Sequence, residues 1–437
     1  MLKSYLHVSN SSYTTSMAYY AIDFGTSNSL LAHVSDAGKI TQVPLDPESG
    51  SVLRSLLYTP EKNKWYFGSE AIANYVTEEG AGRFFRSIKK FLPEPGYTGT
   101  SVHNRNVNVS ELISVFLKEM KMRSDLFIGK KVNKVVMGRP ALYSLNKDDD
   151  QLAQDRMEKA CRLAGFEEVV FCPEPIAAGL DYQSGERKEK VVLVCDFGGG
   201  TSDFTLMKFN NRPYSQEDIL GLSGLFTAGD ALDGIMMKDF ISPHFGSQFE
   251  YQIPGGNNIL QFPRNLLKKI CSPAHITHLR EKDTWEFLQH IKKFGLTPDD
   301  QIHMQNLFTL VECQLGFPLF HEIERVKISL GKNETSTFSY QFLDLSVIQD
   351  VMSVDYNKSV VPAMNEIMES MMKVFEQSGL KPNDVDQVCL TGGTSQFPLI
   401  RKHLKDLFGE HKILEHNLYQ SVVNGLAHFA LKLHAVK

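Results

Sequence analysis

No run of apolar residues in this 437-residue chain reaches the roughly 18 that a membrane-spanning helix needs, so nothing in it is expected to cross a bilayer. Excess positive charge is missing too: 46 lysines and arginines against 51 aspartates and glutamates leave a formal net charge of −5. A general nucleic-acid binder is therefore not expected, because phosphate contacts need a basic surface. The opening MLKSYLHVSNSSYTTSM has no continuous apolar core and no small-residue cleavage site, which argues against a secretory signal. Residues 1–16 read as an N-terminal extension, since Met17 directly precedes the first strand-like run. No two of the six cysteines stand at C-x-x-C spacing, and Cys195 lies inside the apolar run VVLVCDF. Buried, reduced thiols in a cytoplasmic protein are the expectation, rather than metal or redox groups. Low-complexity tracts and Pro/Ser-rich linkers are absent, so whatever domains exist are joined compactly.

What is present is ordinary in bulk and specific in detail. A chain of this length exceeds one ordinary core, and 42% hydrophobic with 22% charged residues suits an α/β protein of two or more domains. Residues 18–31 (AYYAIDFGTSNSLL) read as strand, glycine turn, strand, and residues 191–209 repeat that form around DFGGGTSDF. VNKVVMGRP is a short β-branched run ending at Pro140, and residues 155–164 form a helical pattern closed by Gly165. DVDQVCLTGGTSQFPLIRKHL gives a strand, a third glycine turn and a helix start. Two copies of one Asp-led hairpin, a domain length apart, point to a duplicated α/β lobe with a cleft between the copies. Between Gly234 and Glu324 the pattern changes: residues 248–265 are loop-like, while residues 283–317 have helical apolar spacing.

The hairpins carry the chemistry of polyphosphate binding, which needs backbone N–H donors at close range and a carboxylate-held metal to offset charge. Gly25 allows close approach in the first, with Thr26 and Ser27 presenting hydroxyls and amides; Gly198, Gly199 and Gly200, then Thr201 and Ser202, do so in the second. Asp23 and Asp196 end their strands at the turns, placed to hold Mg²⁺ through its waters. A single glycine turn would mean little. Two matched turns plus LTGGTSQFP make nucleotide binding the expectation.

The ordered series DFGTSNS, RSIKKFL, GRPALY, CPEPIAAGLDY, DFGGGTSDF, AGDALDG, ERVKISL and LTGGTSQFP runs through most of the chain. It resembles the DnaK-type, 70-kDa heat-shock branch of the actin-like ATPase superfamily, and in particular its short YegD-like members. The resemblance implies an α/β actin-like ATPase fold, with two duplicated ribonuclease-H-like lobes around a nucleotide cleft and a smaller subdomain on each. Residues 17–188 would form lobe I, with a subdomain near 47–107 and completion by a C-terminal helix 418–437. Residues 189–417 would form lobe II, with a helical subdomain near 228–345.

Carried over by residue, the resemblance places Asp23, Gly25, Thr26, Ser27 and Asn28 in the first phosphate loop, and Asp196 with Gly198, Gly199, Gly200, Thr201, Ser202 and Asp203 in the second. Lys89 would reach the γ-phosphate and orient the attacking water; a solvated helix lysine is the alternative. Glu174 would sense Mg²⁺ and its waters, Thr201 would stand beside the γ-phosphate, and Asp203 near metal and water. Pro140 would be a switch between nucleotide states, or simply a turn proline. Gly229 and Asp230 would form a third loop near the β/γ-phosphates. Glu324 and Lys327 share a helix face at i, i+3 and would hold the ribose, unless they are a surface ion pair. Gly392, Gly393 and Thr394 would make the adenosine-side turn.

Two departures stand out. The family's adenine-stacking arginine is replaced by Gln396, and Ile328 follows Lys327 where a second cation would stand. After Asn424–Ala427 the sequence offers no interdomain linker or peptide-binding β-sandwich, so no affinity for short hydrophobic peptides is expected. The long insert between Gly234 and Glu324, with Trp285, Phe287 and Leu288 among charges that include Lys292 and Lys293, is either a docking surface for an unknown protein partner or part of its own subdomain's core. The functional expectation is a monomeric Mg·ATP-binding, slowly hydrolysing switch on such a partner, with ATP and ADP as ligands. A non-hydrolysing nucleotide-binding scaffold and a small-molecule kinase of the same superfold are the alternatives.

Overall fold

The computed structural model describes residues 17–435, apart from residues 79, 145, 184–188, 210–215 and 416–419. Two five-strand pathways dominate it. In the first, Tyr19–Phe24 pairs antiparallel with Asn28–Val34, which pairs with Ile40–Gln42; on its other side Tyr19–Phe24 runs parallel to Lys134–Arg139, and that strand to Glu168–Pro173. In the second, Lys190–Phe197 pairs antiparallel with Ser202–Phe209 and then Ile219–Leu225, and parallel with Gln387–Thr391 and then Ile413–Glu415. Strand order and direction match one for one. The two Asp-led hairpins occupy the same place in each sheet, which is the duplication anticipated from their sequence.

The central strands are covered on both faces, so they read as near-continuous apolar runs rather than alternating ones. Val192, Leu193, Val194 and Cys195 are all buried. Helix Val109–Ile128 lies against the first sheet, started by a capping box between Asn108 and Glu111 and stopped by Gly129 at φ +73°. The C-terminal helix Ser421–Ala435 returns to the first sheet and crosses helix Glu174–Gln183. At that crossing a Cβ on Gly425 would sit 1.6 Å from the Ala177 carbonyl oxygen, so only glycine lets the helices meet this closely. Among the described residues no helix is long and apolar enough to cross a membrane.

Helix Lys147–Leu163 begins well before the expected residue 155, because the Asn146 side chain caps the amides of Asp148 and Asp149 and lets the acidic run KDDD form its first turn. Gly165 ends the segment at φ +95°. The stretch 248–265, read from sequence as loop, holds a minimal hairpin, Glu250–Tyr251 with Leu260–Gln261, before helix Arg264–Ile270. Helices Lys282–Ile291, Pro298–Glu312 and Gly316–Leu330 follow, then the hairpin of Thr335–Phe342 with Leu345–Met352. Leu288 is fully buried and Trp285 packs on Phe308 with ring centroids 4.6 Å apart, so both belong to the subdomain's own core. Phe287 stays partly exposed, and Lys292 bonds Gln305 and lies over the Phe308 ring.

Candidate nucleotide site

The two hairpin turns close in the same way. The Gly25 amide donates to the Asn28 carbonyl at 3.0 Å, and the Gly198 amide to the Thr201 carbonyl at 2.9 Å. The turns face each other: a Cβ on Gly199 would fall 2.1 Å from Ser27 Oγ, and one on Gly200 2.9 Å from Thr26 Oγ1. Two further turns brace the second. Asp230 N donates to Gly199 O at 2.7 Å and Gly229 N to Gly198 O at 3.3 Å, while Thr394 Oγ1 donates to Gly198 O at 2.8 Å. Gly392, at φ +78°, would drive a Cβ to 2.2 Å from the Phe197 carbonyl. Four glycine turns from distant parts of the chain thus meet at one place. Gly393 follows in the short helix Gly393–Gln396.

Behind the turns lies a buried set of charges. Lys89 Nζ pairs with Glu174 Oε1 at 2.8 Å, both side chains largely out of solvent. Burial alone would lower the lysine's pKa, but Glu174, Tyr143 and Asp23 reverse this and raise it. Burial, with Glu174 and Asp196 beside it, holds the Asp23 carboxyl well above its ordinary range. Asp196 is pushed up to about 6 by burial and by Glu174. Burial, Asp196 and Glu174 likewise raise Asp203, against a hydrogen bond from Thr201. Among the described residues four carboxylates share one lysine here. That surplus of negative charge is what a divalent cation would offset, so the donor set fits Mg²⁺. Among the described residues no three acidic, His or Cys groups converge enough to hold an ion directly.

Other sequence-predicted residues fall at the edges of this centre. Pro140 is buried at the end of strand Lys134–Arg139. Lys327 does not pair with Glu324; its Nζ bonds Asp233 Oδ1 at 2.7 Å and the Gly229 carbonyl at 3.3 Å, tying helix Gly316–Leu330 to the third turn. Glu324 is half-buried, with His321 Nδ1 at 4.0 Å. Gln396 is exposed, and its Oε1 accepts from Arg401 Nη2 at 3.0 Å. A guanidinium therefore stands at this turn after all, supplied from helix Pro398–Phe408.

Several residues of the site were not singled out from sequence. Lys90 Nζ reaches Asp230 Oδ2 at 2.7 Å, Ser87 Oγ donates to the same oxygen at 3.1 Å, and Arg86 lies 3.5 Å from Asp230 and 3.9 Å from Asp233. These contacts join the first lobe to the second. Lys90 and Arg86 hold Asp230 below its ordinary pKa against the effect of burial. Tyr143, buried and within electrostatic reach of Lys89, has a hydroxyl with no partner among the described residues. All of these lie inside motifs already noted, RSIKKFL, AGDALDG and GRPALY, but no local pattern pairs a lysine with an aspartate from another lobe.

Duplicated ribonuclease-H-like sheets, each ending in an Asp-led glycine hairpin and facing each other across a cleft, define the actin-like ATPase fold. A family model described as Hsp70 protein matches residues 89–217 and 317–433, more than half of the sequence, and the chain belongs to that family. The unmatched stretch between these ranges contains most of the helical insert. Similar proteins include the chaperone protein DnaK of Methanothermobacter thermautotrophicus, 23% identical over 400 residues, and that of Thermosipho africanus, 23% identical over 394. The DnaK of Carsonella ruddii is 25% identical over 412 residues. In each case 89% of this chain is covered but only 55%, 54% and 58% of the relative, so the chain spans a little over half the length of the relatives it matches.

Proposed function

We propose that this chain is a Mg·ATP-binding module whose two lobes close on the nucleotide, hydrolyse it slowly, and convey the change to a protein partner. The observation that carries this reading is the meeting of four glycine turns around the Lys89–Glu174 pair. Bound ATP would supply the phosphoanhydride bond to be broken. The amides around Gly25–Ser27 and Gly198–Thr201 would cradle the phosphates, and Asp23 and Asp196 would hold the water shell of Mg²⁺. Lys89 would leave Glu174 for the terminal phosphate and help place the attacking water, with Thr201 and Asp203 beside it. The contribution is positional and electrostatic, as phosphoryl transfer requires. Glu324 and Lys327 would lie on the ribose side, and Gly392–Thr394 with Gln396 on the base side.

We further propose lobe boundaries at 17–188 and 189–417, with the C-terminal helix belonging to the first lobe, and a cytoplasmic monomer. Retention of Lys89, Glu174, Asp196 and Thr201 in one centre favours hydrolysis over a passive scaffold. Phosphate release from Mg·ATP by the purified chain tests it: slow, Mg²⁺-dependent turnover is expected, and none above the uncatalysed rate would leave only nucleotide binding.

A further inference from the structure

Where the rim of the first lobe meets the helical insert there is a cavity of about 70 Å³. None of the phosphate-loop residues lines it, nor do Lys89 and Glu174. Its walls are aromatic and join the lobes: Phe84 from one side packs on Phe317 from the other with centroids 4.3 Å apart. The Tyr75 hydroxyl donates to the Gln314 carbonyl, and Gln314 Nε2 donates to the carbonyls of Gly80 at 3.1 Å and Gly82 at 3.0 Å. Its polar lining mixes neutral groups, Tyr75, Tyr97, Thr100 and Gln314, with basic ones. Arg83, Arg86 and Arg280 line the cavity with His278, and no carboxylate is among its described lining residues.

Two of these arginines have no acidic partner among the described residues. Arg83 is held by neutral groups, with Nη1 on the Ser101 carbonyl at 2.6 Å and Nη2 on Thr100 Oγ1 at 2.9 Å, and its guanidinium lies over the Phe85 ring at 5.3 Å. It is thus oriented but not neutralised. Arg280 approaches from the insert, is exposed, and its side chain makes no hydrogen bond or ion pair among the described residues. Burial disfavours the charge on Arg83, and repulsion from Arg280 adds a smaller penalty. Arg83 is half-buried and Arg280 exposed at the same cavity, so neither charge is neutralised by protein, and a planar guanidinium is suited to an oxyanion that can accept two parallel hydrogen bonds.

We propose that this cavity binds a phosphate-type oxyanion, either inorganic phosphate or the phosphoryl group of a small monoester. The anion bridges Arg83 of the first lobe and Arg280 of the second. Because it touches both, it binds the closed arrangement of the lobes and favours it. The cavity adjoins the nucleotide centre through Arg86 but contains none of the phosphate-loop residues, and it does not depend on their assignment.

Calorimetric titration of the full chain with inorganic phosphate tests this, at constant ionic strength and with a non-hydrolysable ATP analogue present to compete for the phosphate loops. The variants are Arg280→Gln and Arg83→Gln, with the exposed Lys118→Gln as a charge-matched control. Saturable phosphate binding is expected in the wild type and the control, weakened about tenfold or more in both arginine variants, as loss of a charged hydrogen bond implies. Should Arg83→Gln fail to fold, Arg280→Gln, which breaks no described contact, decides alone. Phenyl phosphate in a parallel titration separates the sources: binding by both anions assigns a monoester's phosphoryl group, and by phosphate alone the free ion. No saturable heat with phosphate, or equal affinity in wild type and Arg280→Gln, overturns the proposal. If the nucleotide analogue fails to bind, the arginine variants still locate the phosphate.

Discussion

Lys89 is the one cation among Asp23, Glu174, Asp196 and Asp203 in the described residues, and its removal should separate binding from turnover. Lys89→Ala is expected to abolish ATP hydrolysis and to leave Mg·ATP affinity within severalfold, measured by phosphate release and calorimetry. Equal turnover in variant and wild type would refute the role. The same carboxylates set a pH dependence. Asp196 has a folded-state pKa of about 6 against an ordinary 3.8, so its contribution to stability is full below 3.8 and is lost as pH rises through about 6. A cation offsets repulsion only where the carboxylates are ionised. Mg²⁺ should therefore raise the melting temperature more at one unit above that pKa than at one unit below, and an equal increment at both would contradict the site. At the 392–396 turn, sequence shows Gln396 in place of an arginine, but not that Gln396 holds Arg401. That contact depends on how helix Pro398–Phe408 turns back, which no residue type announces. Arg401→Ala should weaken ATP binding by an amount in the cation–π range of about 0.5–2 kcal/mol. Gln396→Arg would place a second guanidinium beside the first, and an unchanged dissociation constant in Arg401→Ala would put the base elsewhere.

At the scale of elements, the glycine turns were legible because their requirement is local. A strand ending in Asp-Phe, then glycine and small hydroxylated residues, closes through an i to i+3 bond in both copies. What the sequence did not reveal is that Gly199 must also make room for Ser27 from the other lobe. Gly199→Ala is expected to hold the two turns apart and weaken Mg·ATP binding while shifting the nucleotide-free melting temperature little; calorimetry and melting curves check both halves. Gly425→Ala acts on a different link, since its Cβ would collide with the backbone of helix Glu174–Gln183. An overpacking cost of about 1–3 kcal/mol is expected in urea denaturation, and wild-type stability would show that the helices do not cross so closely. The minimal hairpin at Glu250–Tyr251 escaped sequence reading because two-residue strands carry no alternation to detect.

Over the whole molecule, the repeat of two hairpins was enough to predict duplicated lobes, and the sheets agree in strand order and direction. The contacts that hold those lobes together, Lys90 with Asp230 and Tyr75 with Gln314, pair residues far apart in the chain and come only from the fold. In the proposed function, Mg·ATP binds between the folded lobes and not to the unfolded chain. Thermal melting of the full chain with and without Mg·ATP tests it most directly. At a hundred times its dissociation constant the ligand should add roughly 2.7 kcal/mol of stability, and a clear rise in melting temperature that grows with concentration is predicted. A melting curve that does not move with millimolar Mg·ATP or Mg·ADP would contradict the account.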